Sequence, residues 1–120
     1  MNLDLTELNE NVKKFINDRD WKKFHSPKNI SMALSIEASE LMEHFQWANS
    51  AEESFTILDD KTKKTAIEDE VADVAVYLLD FCNMCNIDLK KAMINKIKKN
   101  AKKYPIEKSK GRSDKYTAYE

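Results

Sequence analysis

One glycine, Gly111, and two prolines, Pro27 and Pro105, punctuate a chain of 120 residues. Strands joined by tight turns need such residues at their corners, so a chain this poor in them builds long helices with few connections. The length fits one compact domain with a modest core, and a further core at a subunit interface suits that size. Charged residues make up 34% and apolar ones 42%, a balance typical of amphipathic helices. The net charge is −1, which argues against a nucleic-acid polymer as partner. Acids dominate from Glu37 to Asp80 and lysines from Lys90 to Lys115. That division suits a site in which acids hold a metal and bases hold an anion. The N-terminal stretch is polar and no apolar run approaches the ~20 residues of a membrane span. A membrane partner is therefore not expected, and the expected location is cytoplasmic. Cys82 and Cys85 are too few for a disulfide framework.

Leu5, Leu8, Val12, Phe15 and Ile16 recur at helical spacing behind Asp4 and Glu7, a possible capping box. This first helix is expected to fade near Arg19 to Trp21. Ser26-Pro27 then places an N-cap serine before a proline at the first helical position. The second helix is expected to run to about Ala48, with Ile30, Ala33, Leu34, Leu41 and Phe45 on one stripe. Asn49 to Asp60 has looser periodicity and reads as a loop with room for a turn of helix. From about Lys61 to Cys85 a third helix carries Ile67, Val71, Val74, Leu78 and Cys82 as an apolar seam. Asp88 is placed as the next N-cap. A fourth helix from Leu89 to Lys103 turns Leu89, Met93, Ile97 and Ala101 inward until Pro105 ends it. Residues 1–105 thus read as an all-α domain, and 106–120 as a polar tail, extended or partly disordered without a ligand.

The acids fall in unexpected places. Glu37 lies three residues after Leu34 and four before Leu41, within or beside the apolar stripe, and Glu40 follows on the same side. Glu70 and Asp73 form a second pair beside the seam of the third helix, with Tyr77 one turn on. Four carboxylates meeting in a partly dry space repel by several kcal/mol at an effective dielectric of about 20. A hard divalent cation removes the conflict, and an all-oxygen donor set selects Mg²⁺, Mn²⁺ or Ca²⁺ over zinc. Ordinary solvated acids on acid-rich helices give the same spacing, and Glu43, Glu68 and Asp69 read as such solvated acids. On pattern alone the two readings stand side by side.

Glu37-Ala-Ser-Glu40 and Glu70-Val-Ala-Asp73 resemble the ExxE…ExxD signature of the all-α nucleotide pyrophosphohydrolases, the MazG-like group, with the closest look to the small dCTP pyrophosphatases. The likeness extends over nearly the whole chain. It takes in Arg19-Asp20-Trp21, Phe24-His25-Ser26-Pro27-Lys28-Asn29, Phe45-Gln46-Trp47, Tyr77, Lys96, Asn100, Lys103-Tyr104-Pro105 and Lys115-Tyr116-Thr117. ExxE alone carries little information; so many blocks in order are specific. The resemblance implies a four-to-five-helix bundle completed by dimerisation, as a homodimer or a homotetramer built as a dimer of dimers. It implies hydrolysis of a nucleoside triphosphate to the monophosphate and pyrophosphate, with dCTP-like deoxynucleotides as substrates. Glu37, Glu40, Glu70 and Asp73 would hold Mg²⁺, with Mn²⁺ as a substitute, and Glu37 or Glu40 would activate the attacking water. Lys96, Asn100, Lys103 and Lys115 are the candidate phosphate holders. Trp21, His25, Trp47 and Tyr77 are the candidates for base and sugar, since flat aromatic faces stack a nucleobase. Nine residues before Trp21, where some dCTP-specific relatives carry histidine, this chain has Val12. Base preference is thus the part the resemblance leaves open.

Other signals carry less. Cys82-Asn-Met-Cys85 is formally CxxC, but it sits late in a helix rather than at the strand-to-helix turn of a redox motif. A carboxylate-bridged di-iron bundle needs Glu-x-x-His pairs, which are missing here. A non-catalytic helical module that only holds a nucleotide or partner is the alternative to an enzyme.

Overall fold

The computed structural model describes residues 4–119, and every regular element among them is helical. Met1 to Leu3 and Glu120, the ends of the polar N-terminus and of the tail, lie outside it. Helix α1 spans Leu5–Asp18, and a 3₁₀ turn at Lys22–Phe24 leads to α2, Pro27–Glu43. A short α3, Ala51–Thr56, continues as a 3₁₀ turn at Ile57–Asp59. Helix α4 spans Lys61–Met84 and α5 Leu89–Lys103, followed by α6 at Ile106–Ser109 and a 3₁₀ turn at Tyr116–Ala118. Two compact units result, one ending at Asn86 and one beginning at Ile87.

Side chains at the helix starts set these boundaries. Asp4 accepts from the Thr6 N–H at 3.0 Å, though no return bond from Glu7 completes a box. Ser26 Oγ accepts from the Asn29 N–H at 3.1 Å with Pro27 in the first turn. Asp60 Oδ1 accepts from Thr62 and Lys63, and Asp88 Oδ1 from Lys91. Each satisfies an amide that the helix itself leaves unpaired. Asn86 closes the α4 end with φ +54°, a left-handed conformation that asparagine tolerates better than most residues.

Several expectations change. Helix α2 stops at Glu43, and the chain tightens into turns in which Phe45 N–H donates to Met42 O and Ala48 N–H to Phe45 O. Trp47 therefore leaves the α2 face. The expected loop contains α3, started by Ser50 Oγ accepting from the Glu53 N–H while Glu53 Oε2 accepts from the Asn49 N–H. The return bond reaches the residue before the cap rather than the cap itself, one position off a capping box, and Ser50-Ala-Glu-Glu53 was its sequence signal. The tail is not extended throughout. It forms α6, and Tyr116 and Tyr119 pack edge-on against Tyr104 at 5.9 and 5.8 Å.

Helix α4 organises the first unit by packing extensively on α2 and on α1 besides. Because it is gripped from two directions, its buried positions spread beyond a single seam. Ile67, Leu79 and Cys82 are buried while Val71 stays half exposed. In the second unit Met93 and Ile97 of α5 are exposed rather than inward-facing, since no second long helix of that unit covers them.

Candidate metal centre

Packing α2 on α4 turns two runs of acids toward one another. Glu37 sits between the half-buried Leu34 and Leu41, so its carboxylate is carried into the helix seam. Glu70 follows the buried Ile67 by one turn and is itself half-buried. One oxygen from each of Glu37, Glu70 and Asp73 lies within 4.8 Å of the others. Glu40 comes within hydrogen-bonding reach of Glu37 but stands outside this triplet. Asp73 is exposed, so the cluster opens to solvent on that side.

The triplet is polar, crowded and short of partners. Glu37 Oε2 and Glu70 Oε2 are closed off from solvent and receive no hydrogen bond, an arrangement that folded proteins avoid. The Glu37 carboxyl is pushed up to about 7, first by its contact with Glu70, then by Glu40, by burial, and by the charges of Glu40 and Asp73. Like charges this close cannot all ionise, so a proton stays in the cluster near neutrality. A divalent cation satisfies the same oxygens without that proton. Three or four carboxylates with no nitrogen or sulfur among them form a hard-cation donor set.

The other candidate side chains divide between the two units. Tyr77 lies one turn beyond Asp73 on α4; burial, then the charges of Glu37, Asp73 and Asp80, hold its phenol above the usual range. Its hydroxyl is therefore a proton donor beside the acids. The His25 Nδ1 lies 2.8 Å from Asp80 Oδ2. Trp21 packs edge-on against Phe15 at 5.7 Å, with the Arg19 guanidinium 3.7 Å above the Phe15 ring. Part of the Trp21 indole remains exposed. Trp47 is 83% exposed, so packing within this chain's core is not its role. In the second unit Lys96, Asn100 and Lys103 share one exposed face of α5. The Lys103 ammonium lies 5.2 Å over the Tyr116 ring, which brings the tail, with Lys115 next to Tyr116, to the end of α5 that carries Lys103.

Asp80 belongs to no motif that marks it in the sequence. It is 5% exposed, inside an apolar run where an acid is rare, and its position seven residues after Asp73 was the available signal. Cys82 and Cys85 are free. Burial first, then Cys85, pushes the Cys82 thiol up, the reverse of a reactive thiolate. No helix among the described residues is long and apolar enough to cross a membrane.

The chain is similar to known proteins. The MazG-like family model matches residues 32–118. The dCTP pyrophosphatase 1 of Rattus norvegicus is 38% identical over 104 residues, covering 87% of this chain and 61% of that protein. The Homo sapiens dCTP pyrophosphatase 1 is 35% identical over the same shares. This chain thus spans about three-fifths of the length of these curated relatives. The crystal structure of a pyrophosphatase from Archaeoglobus fulgidus is similar with a TM-score of 0.79 and 39% identity, over 88% of this chain and 95% of that one. With acids paired across two packed helices and a family match over most of its length, this chain belongs to the MazG-like family.

Proposed function

We propose that this chain is a nucleotide pyrophosphohydrolase that cleaves dCTP-like deoxynucleoside triphosphates to the monophosphate and pyrophosphate. The observation that carries the reading is the Glu37, Glu70 and Asp73 triplet with its two unpartnered buried oxygens, in a chain similar to proteins named dCTP pyrophosphatase. Mg²⁺, or Mn²⁺ in its place, held by Glu37, Glu40, Glu70 and Asp73, would neutralise charge on the phosphates and acidify water. Glu37 or Glu40 orients the water and takes its proton as the oxygen attacks the α-phosphorus and the α–β anhydride bond breaks. Lys96, Asn100, Lys103 and Lys115 act as phosphate anchors, the cations among them offsetting the charge of the leaving pyrophosphate. Trp21 and Trp47 offer faces for the base, His25 a hydrogen bond to the base or sugar, and Tyr77 a hydroxyl to a sugar or phosphate oxygen. The free thiols of Cys82 and Cys85 suit a reducing, cytoplasmic compartment.

The test is a panel of canonical and modified nucleoside triphosphates with Mg²⁺, with products separated by chromatography. Pyrophosphate and a monophosphate are expected from at least one deoxynucleotide. Orthophosphate alone, or nucleotide binding with no turnover across the panel, ends the enzymatic reading.

The working molecule on this proposal is a homodimer or a dimer of dimers. Among the described residues the buried apolar core is only Ile16, Ile30, Ile67, Leu79 and Cys82. Met32 and Ile36 of α2, Phe55 of α3, and Met93 and Ile97 of α5 are each more than half exposed. A single chain rarely leaves so much apolar surface open, and self-association covers it. Sedimentation equilibrium at micromolar concentration should return a multiple of 14.0 kDa. A mass of one chain rejects the oligomer.

A further inference from the structure

Asp80 and His25 come to each other from different elements of the first unit. Asp80 lies on α4 at 5% exposure, between the buried Leu79 and Cys82. A carboxylate at that depth requires a partner. Its Oδ2 receives no aligned hydrogen bond, and the close polar atom is His25 Nδ1 at 2.8 Å. Burial raises the Asp80 carboxyl and the neighbouring imidazole pulls it partly back. The backbone beneath His25 is fixed as well. Its N–H donates to Lys22 O at 3.1 Å, and Asn29 Nδ2 donates to Phe24 O at 3.2 Å. With Nδ1 closed off from solvent 2.8 Å from Asp80, Nε2 is the nitrogen left for a ligand.

The pair is also in register with the acid cluster. Asp73, Tyr77 and Asp80 follow at four and three residues along α4 and share one face. At about 1.5 Å per residue Asp80 stands roughly 10 Å further along the axis than Asp73. That is the order of the distance from the α-phosphate to the base edge of an extended nucleotide. Beyond Asp80 lies a cavity of about 140 Å³ lined also by Lys13, Lys22 and Asn83.

We propose that Asp80 is a positioning residue: its buried carboxylate holds the His25 imidazole by Nδ1, so that Nε2 is presented to the base or sugar of the bound nucleotide. The proposal deepens the pyrophosphohydrolase reading and rests on it for the identity of the ligand. At metal sites, carboxylates that orient a ligating histidine are worth about 10- to 100-fold, and an effect of the same order is expected here.

Three measurements test it on the full chain. Nitrogen-15 shifts of the imidazole in the wild type should show the proton on Nδ1, and a His25 populating mainly the Nε2–H tautomer overturns the proposal. Asp80→Asn should raise KM about tenfold while kcat changes by less than about threefold. In a His25→Gln background the same substitution should add nothing, because the two residues act as one unit. An equal rise of KM in both backgrounds means that Asp80 acts independently of His25 and also overturns the proposal. Thermal melts accompany each variant, and if Asp80→Asn does not fold, the wild-type imidazole shifts still decide. A wild type that releases no pyrophosphate from any nucleotide ends the enzyme reading, while the same shifts report whether Asp80 holds His25.

Discussion

Glu37→Gln should cut turnover by at least about 100-fold and, without metal at neutral pH, melt at a higher temperature than the wild type. Glutamine keeps the size and seat of the side chain between Leu34 and Leu41. It neither attracts a cation nor accepts the proton of an attacking water, and general-base contributions alone are about 10²- to 10⁴-fold. The opposite sign for stability follows from the crowding. The Glu37 carboxyl titrates near 7 in the metal-free fold against an ordinary value of 4.5. Between those values the folded chain holds a proton that the unfolded chain has released, so stability falls as pH rises through that window. At pH 7.5 the folded state bears most of the repulsion among Glu37, Glu70, Glu40 and Asp73. A neutral amide removes it and can donate to the Glu70 carboxylate. Pyrophosphate release and thermal denaturation in chelator at pH 7.5 check both halves. Wild-type turnover would remove Glu37 from the site, and a lower melting temperature would remove the repulsion account.

The second large effect concerns metal affinity. Below about pH 7 a proton competes with the cation for Glu37, so apparent Mg²⁺ affinity should fall about tenfold for each pH unit down toward the ordinary carboxylate range. At pH 6 each ion bound should release close to one proton. Calorimetric titration in two buffers of different ionisation enthalpy measures that number directly. A companion thermal scan should show a larger Mg²⁺-induced rise in melting temperature at pH 8 than at pH 6. An affinity flat between pH 8 and pH 6, with no proton released, would mean that the cation does not bind through Glu37.

Much of the helical layout was legible because its determinants are local. A capping side chain bonds an amide two or three residues away, so Ser26, Asp60 and Asp88 announce their helices whatever packs on them later. Ser50 announced α3 in the same way, but the weak periodicity around it hid the signal. The acid pairs were legible for a similar reason, since residues three apart share a helix face in any surroundings. Whether such a face meets another acid face or water is not a local property, so spacing could not decide between a metal centre and solvated carboxylates.

The sequence by itself determined an all-helical chain, the starts of its long helices, and the two acid pairs on faces next to apolar stripes. The tertiary structure decided that α2 and α4 bring Glu37, Glu70 and Asp73 within 4.8 Å. It decided that Trp47 stands in solvent and that the tail folds back on Tyr104. It also decided that Asp80, an unremarked acid in an apolar run, is buried against His25. Helix formation depends on neighbours along the chain, which the sequence orders. Burial and charge crowding depend on neighbours across space, which exist only once α4 is held between α1 and α2.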